Sequence, residues 1–382
     1  MNTLFTRLTL EESKLYTKIC TLGAGTALPV FMLPSEFMRL IGVIYHDTGL
    51  WRDIEKNRPQ TWEKINPKND YFDIPMSWFT ESMEVESGEE IDLLRTADRQ
   101  IPDFVTYLKC LSELHKRRRK YALILKAQPI PTMVQVSPRS LVEYGTLNSE
   151  ALASWLTWRK FFYDLDNRSA QETGYLFEPI LAAAIGGEPK SAKAKVVCRS
   201  TDRTKGRQVD CWKLIPGGRP LAYEFKLRVT IAASGQGRFA EEVQFAEDCA
   251  TSGATPVLVV LDPTPNARLS DLRSAYERKG GHAYIGDEAW AHLETEAGRV
   301  MSQFIEKYVR RPVTEISSYE RIGDDGIRRF ALLDLAASAS NGELLLKLGQ
   351  FERRIARAEN TALSEGSADE DGESGAEGGA LS

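Results

Sequence analysis

Apolar positions in the first 160 residues recur at three- and four-residue steps, the period of an amphipathic helix. This spacing predicts helices over 9–22, 35–46 and 91–120, separated by extended interruptions. Pro129 and Pro131 make 121–136 read as extended. Trp155, Trp158, Phe161, Phe162 and Tyr163 then share an aromatic-rich helix, a pattern that suits core packing or a stacking platform. From residue 168 the pattern changes. Leu176, Phe177, Ile180, Leu181 and Ile185 predict a helix over 171–185, with Pro179 marking a kink or a late start and Gly186-Gly187 ending it. β-type runs follow at 194–199, 207–215 and 221–230, and the turn Pro216-Gly217-Gly218 joins the last two. A helix over 238–251 and the unbroken apolar run at 256–261 complete an α-β-β-β-α-β order. Such a run suits a strand buried on both faces. Helices at 269–279 and 287–310, a strand at 282–285 and a charged helix at 343–360 are expected beyond it. No internal repeat is visible.

The periodicities divide the chain into a mainly helical region over 1–165, an α/β core over 166–315, a helical extension over 316–362 and a tail over 363–382. The tail is Gly, Ser, Ala, Asp and Glu with almost no large apolar residue, so it is expected to be disordered. With 382 residues, 42% of them apolar, the chain can bury a full globular core. No apolar run is long enough to span a bilayer. The most apolar early segment, 19–33, is interrupted by Gly23, Gly25 and Pro29, and its flank of Glu11, Glu12, Lys14 and Lys18 is wrong for a secretory signal. A soluble, cytoplasmic protein is expected. Five single cysteines and four dispersed histidines show neither CxxC nor HExxH spacing, which argues for reduced thiols and against zinc.

The net charge of −5 is uneven. Six acids and no Lys or Arg lie in 361–382, and without them the balance is +1. Residues 186–238 carry twelve Lys/Arg against four Asp/Glu, which suits a polyanionic partner or simply a well-solvated surface. The run His115-Lys116-Arg117-Arg118-Arg119-Lys120 closes a predicted helix, where it can complement the helix dipole or contact phosphates.

Candidate chemistry lies in 209–228. Strand alternation puts Glu224, Lys226 and Arg228 on one face, with Phe225 and Leu227 toward the core. The short Pro-Gly-Gly connection brings Asp210 alongside Glu224. Two carboxylates held together repel unless a cation lies between them, and Mg²⁺ prefers carboxylate oxygens. Asp210 and Glu224 can hold that metal, and Lys226 can position a water and stabilise charge on phosphorus. Downstream, Ser234, Gln236 and Arg238 sit in a glycine-containing stretch at a predicted helix start, a place that favours phosphate oxygens or base edges. Glu242 and Gln244 could face the metal centre from the same helix, although Glu241-Glu242 also reads as helix surface.

Asp210…Glu224-Phe225-Lys226 on an α-β-β-β-α-β order resembles the PD-(D/E)XK nuclease superfamily, with Val209 in place of the usual proline. The resemblance implies an α/β restriction-endonuclease-like core, with a mixed sheet flanked by helices. It also implies a metal-binding acid on the preceding helix, a position that Glu178 occupies; a helix-surface glutamate is the other reading. The segment 226–238 with Pro-Val-Leu-Val-Val-Leu-Asp-Pro-Thr downstream is similar to the ApaLI-like type II restriction endonucleases. That similarity implies Mg²⁺-dependent cleavage of double-stranded DNA at a specific palindromic site by a homodimer. The N-terminal region would serve recognition or dimerisation, and a separate DNA methyltransferase would protect the host. A repair or recombination nuclease of the same superfamily and a non-catalytic DNA-binding protein are the rival readings.

Overall fold

The computed structural model describes residues 8–136, 141–173, 177–226, 235–262, 267–318, 321–322, 328–329, 335–340 and 342–358. The N-terminal part holds helices α1 (Leu10–Cys20), α2 (Pro34–Asp47), α3 (Glu89–Gln100), α4 (Phe104–Ala127) and α5 (Ser149–Thr173), with shorter helical turns between them. The single helix expected over 91–120 is two, because Pro102 lies between α3 and α4 and Asp103 takes a left-handed φ of 55°. Two compact units interleave along the chain. One contains Leu33–Glu113 and Tyr175–Ile316, the other Glu12–Met32, Leu114–Gly174 and Ser317–Ser382.

The first unit is built on a mixed five-stranded sheet. Its strands are β1 (Glu188–Lys190), β2 (Val209–Lys213), β3 (Leu221–Lys226), β4 (Thr255–Val260) and β5 (His282–Ile285), hydrogen-bonded in that order. β1, β2 and β3 run antiparallel in succession, and β4 and β5 continue parallel to β3. β4, paired on both edges, is buried from Pro256 to Val260, as its unbroken apolar run requires. Helices α6 (Phe177–Ala184), α7 (Gly235–Thr251), α8 (Ala267–Arg278) and α9 (Asp287–Ile305) flank the sheet. Phe245 and Cys249 of α7 and Leu272 and Tyr276 of α8 pack on Val209, Ala222, Leu258 and Val260 on one face. α6 and α9 lie on the other, contacting β2 and β5.

Local differences from the expected elements have local causes. Pro179 falls in the first turn of α6, where its missing N–H costs nothing, so it marks a late start and not a kink. The strand expected at 194–199 is displaced to β1. Ala192–Ala194 instead forms a 3-10 turn closed by Lys195 at φ 51°, and Cys198 makes only a single bridge to Gly206. Gly187 follows α6 where a Cβ would collide with the Cys211 Sγ, so no larger residue fits between α6 and β2. At the 214–220 connection, the Gly218 amide donates to the Ile215 carbonyl at 3.0 Å, with Pro216 and left-handed Gly217 between them.

In the second unit, the described residues 343–358 of the expected helix are not helical. Strands β6 (Leu335–Ala339), β7 (Glu343–Leu348) and β8 (Phe351–Ala356) form an antiparallel sheet. Gly349, at φ 56°, makes the two-residue turn that a helix could not contain. Leu344 and Ile355, paired across the hairpin, bury against Ile124, Leu125, Phe161 and Leu165.

Candidate active site

β3 presents two chemically distinct faces. Tyr223 and Phe225 are buried toward α9, where the Tyr223 hydroxyl lies 3.2 Å from His292 Nε2. Glu224 and Lys226 point the other way and are only half-buried. The β2–β3 register pairs Trp212 with Ala222 and Cys211 with Tyr223, so the next position along sets Asp210 opposite Glu224. Asp210 Oδ2 accepts a hydrogen bond from the Phe225 amide at 2.9 Å, which orients its carboxylate where the ladder ends. Lys226 Nζ donates to Glu224 Oε1 at 2.5 Å and lies 2.9 Å from Glu242 Oε1 of α7. Glu178, half-buried in the first turn of α6, acts on Asp210 as a neighbouring negative charge. Asp210, Glu224, Lys226 and Glu178 are thus brought to one end of β3, as the sequence suggests.

The electrostatics report a shortage of positive charge. Burial pushes Asp210 up to about 6, against the Phe225 amide and Lys226, which favour its anion, while Glu178 and Glu242 repel that anion. Burial pushes Glu224 further, to about 8, with Asp210 as the next cause. Burial also works against the charge of Lys226, but Glu224 and Glu242 outweigh it, so its pKa is raised and the ammonium stays protonated. Glu224 and Glu242 contact the one ammonium, and Asp210 and Glu178 add two further negative charges nearby. This all-oxygen donor set fits a hard divalent cation, whose charge would relieve the crowding.

Residues that sequence reasoning passed over fix the helix that carries Glu242. Arg207 Nη1 lies 2.8 Å from Asp248 Oδ2, its Nη2 donates to the Glu241 carbonyl at 2.5 Å, and its guanidinium sits over the Phe245 ring. Asp248 is fully buried and also accepts from the Ser200 amide at 2.7 Å. Together these ties clamp α7 to the loop that leads into β2. Gln244 belongs to this clamp, donating to Ser200 Oγ at 2.7 Å and to Asp248, and so does not face the metal centre. No local motif announces the clamp, since its members are some forty residues apart.

The remaining candidates divide. Arg228 and Ser234 lie outside the described residues, and Gln236 and Arg238 fall in the first turn of α7, which starts at Gly235 and not near 238. The basic run at 115–120 lies inside α4, not at its end, and its lysines are neither solvated nor free for phosphate. Lys116 donates to the Lys18 and Thr21 carbonyls at 2.6 and 3.0 Å. Lys120 donates to Thr26 Oγ1 and the Leu28 carbonyl and pairs with Glu172 at 2.8 Å. Among the described residues the one group of three ligand-type side chains with atoms all within 4.8 Å of one another is a different one, His46, Asp47 and Asp70. Lys307 already bridges that group, 2.5 Å from Asp47 and 2.7 Å from Asp70. Among the described residues no helix is long and apolar enough to cross a membrane.

Residues 56–310, a span that contains the whole of this site, match the ApaLI-like restriction endonuclease family. The chain is also 56% identical over 362 residues to a type II restriction enzyme ApaLI of Acetobacter pasteurianus, a match covering 94% of this chain and 96% of that relative. The chain belongs to the ApaLI-like restriction endonuclease family.

Proposed function

We propose that this site-specific restriction endonuclease hydrolyses both strands of duplex DNA at a palindromic sequence, with Mg²⁺ held by Asp210, Glu224 and Glu178. The observation that carries the reading is the facing pair Asp210 and Glu224, with the Lys226 ammonium 2.5 Å from Glu224 on the same face of β3. The order α6-β1-β2-β3-α7-β4 around that pair supports a PD-(D/E)XK core. A cation bound there would neutralise the scissile phosphate and lower the pKa of a water.

The protein's own groups do the positioning. The Phe225 amide holds the Asp210 carboxylate in place before any ligand arrives. Lys226 offers an ammonium whose charge is secured by its acidic neighbours, and it stabilises the negative charge that builds on phosphorus as the attacking oxygen approaches. Arg228, Ser234, Gln236 and Arg238 follow directly after the catalytic strand in the chain, and we assign them to DNA contacts on that connectivity. Cutting both strands of a palindrome calls for two centres related by a two-fold axis, hence a homodimer, with the region 1–165 supplying recognition or dimer contacts. A separate methyltransferase acts as the functional partner that protects host DNA, and the setting is the cytoplasm. Family membership favours restriction over repair, and the joint retention of Asp210, Glu224 and Lys226 favours catalysis over DNA binding alone.

Digestion of a sequenced plasmid with Mg²⁺ is expected to give discrete fragments with common ends, and EDTA should stop it. Asp210→Ala and Lys226→Ala should each lower cleavage by about 10³-fold or more while DNA binding in Ca²⁺ persists. Full cleavage by either variant would remove the assignment, and a smear or structure-dependent nicking would favour repair.

A further inference from the structure

We propose that Glu242 is a positioning residue for DNA cleavage: from α7 it holds the Lys226 ammonium at the centre when Glu224 turns its oxygens to the metal. The proposal rests on the cleavage reading of Asp210, Glu224 and Lys226. Lys226 Nζ has two carboxylate partners, Glu224 two residues back on its own strand and Glu242 from the facing helix at 2.9 Å. These partners are not equivalent. Glu224 sits opposite Asp210 and is a ligand in the cleavage reading, so a bound cation competes with Lys226 for its oxygens. A divalent charge also repels the ammonium, and the rotamer entropy of the long lysine stem draws it away. Without a second anchor the ammonium would leave as the cation arrives.

Glu242 is built to be that anchor. It and Glu241 are adjacent, yet Glu241 is half exposed and faces Arg199 and Arg207, whereas Glu242 is 17% exposed and turned to the sheet. The helix is fixed at this point by the Arg207–Asp248 clamp, with Arg207 also bound to the Glu241 carbonyl one residue away. The carboxylate therefore approaches Lys226 from a rigid element that is independent of β3. A Glu-Glu pair that resembles solvated helix surface in sequence is divided in function, one side chain facing outward and one toward the reacting centre.

Glu242→Gln and Glu242→Asp test this in the full-length protein. At saturating Mg²⁺, Glu242→Gln is expected to slow single-turnover cleavage at least about tenfold. DNA affinity in Ca²⁺, the Mg²⁺ concentration for half-maximal rate and the melting temperature should stay within about twofold or a degree or two of wild type. Glu242→Asp, which keeps the charge, should recover part of the rate. A direct readout of position is acetylation of the Lys226 amine followed by mass spectrometry with Ca²⁺ bound. Lys226 should be modified several-fold faster in Glu242→Gln than in wild type. Unchanged cleavage and acetylation would overturn the proposal, as would a raised Mg²⁺ requirement, which would make Glu242 a metal ligand instead. A lowered melting temperature that Glu242→Asp shares would make its role structural. If wild type itself does not cut DNA, the underlying reading fails; if wild type cuts and Asp210→Ala does not, only the role of Glu242 is at stake.

Discussion

Cation binding at the Asp210–Glu224 pair is expected to expel about one proton near neutrality. With burial and mutual repulsion lifting Asp210 to about 6 and Glu224 to about 8, the metal-free pair keeps a proton that ordinary carboxylates would have lost. At pH 7 a group titrating near 8 is roughly nine-tenths protonated and one near 6 roughly one-tenth, so together they hold about one proton. A divalent ion requires both as anions, so binding releases that proton, and apparent affinity should rise about tenfold per pH unit around neutrality before levelling above about pH 9. Calorimetric titration with Ca²⁺, which avoids turnover, in buffers of different ionisation heat counts the protons directly. The count should fall from about one at pH 7 to about a tenth at pH 9, and Glu224→Gln should abolish it. The same shifts fix a stability trend. Both folded-state pKa values lie above unfolded ones, so the stabilising protonation is complete at low pH and is lost as pH rises from about 4 through 8. Metal-free protein should therefore melt lower at pH 8 than at pH 6, and saturating Ca²⁺ should remove that slope. A proton count near zero at pH 7, or one unchanged at pH 9, would refute the picture of a crowded pair awaiting positive charge.

Two further substitutions probe what holds the site and what the basic run does. Arg207→Ala strands the fully buried Asp248 without its cation, and urea unfolding should report a loss of about 3–5 kcal/mol, with cleavage falling as α7 loosens; a loss under about 1 kcal/mol would mean the clamp is not a stabilising element. Lys120→Met removes an internal tie to Thr26, Leu28 and Glu172, so stability should drop by about 2–4 kcal/mol. The dependence of DNA affinity on salt should not move, whereas a phosphate contact would lower the log–log slope by about one.

The central sheet was legible because its signals are short-range. The run at 256–261, the Pro-Gly-Gly turn and the alternation through 221–226 each act within a few residues, and they recur as β4, the 214–220 connection and β3. The facing of Asp210 and Glu224 follows from that turn and register alone. What escaped was set by distant partners. Residues 343–360 carry enough Leu, Arg and Glu to suit a helix, and the decision for strands comes from Gly349 together with the apolar residues of α4 and α5 that Leu344 and Ile355 cover. A basic stretch in α4 looks like a solvated surface until the carbonyls of 18–28 are found against its two lysines. Likewise nothing in a string of residues distinguishes Glu242 from Glu241, because the difference is made by which side of α7 Arg207 and Asp248 bind.

Two clusters in the first unit pair carboxylates with a lysine, and their charge balance separates them. Around Asp47 every oxygen has a donor: Lys307 meets Oδ1, and the Tyr107 and Tyr308 hydroxyls donate to Oδ2 at 2.8 and 2.5 Å. Lys307 also reaches Asp70, and its hydrogen bond is the leading reason that carboxyl is held below the ordinary range. A metal ion could enter only by expelling the lysine. At Asp210 and Glu224 the direction is reversed: burial first, and then the neighbouring carboxylates, push both carboxyls up against the one ammonium beside them. Lys307 therefore favours the Asp70 anion, whereas at Asp210 and Glu224 burial and like charge outweigh the single lysine. That contrast, more than the number of acids, is the physical ground for proposing metal-dependent chemistry at the end of β3 and a structural role for the cluster at Asp47.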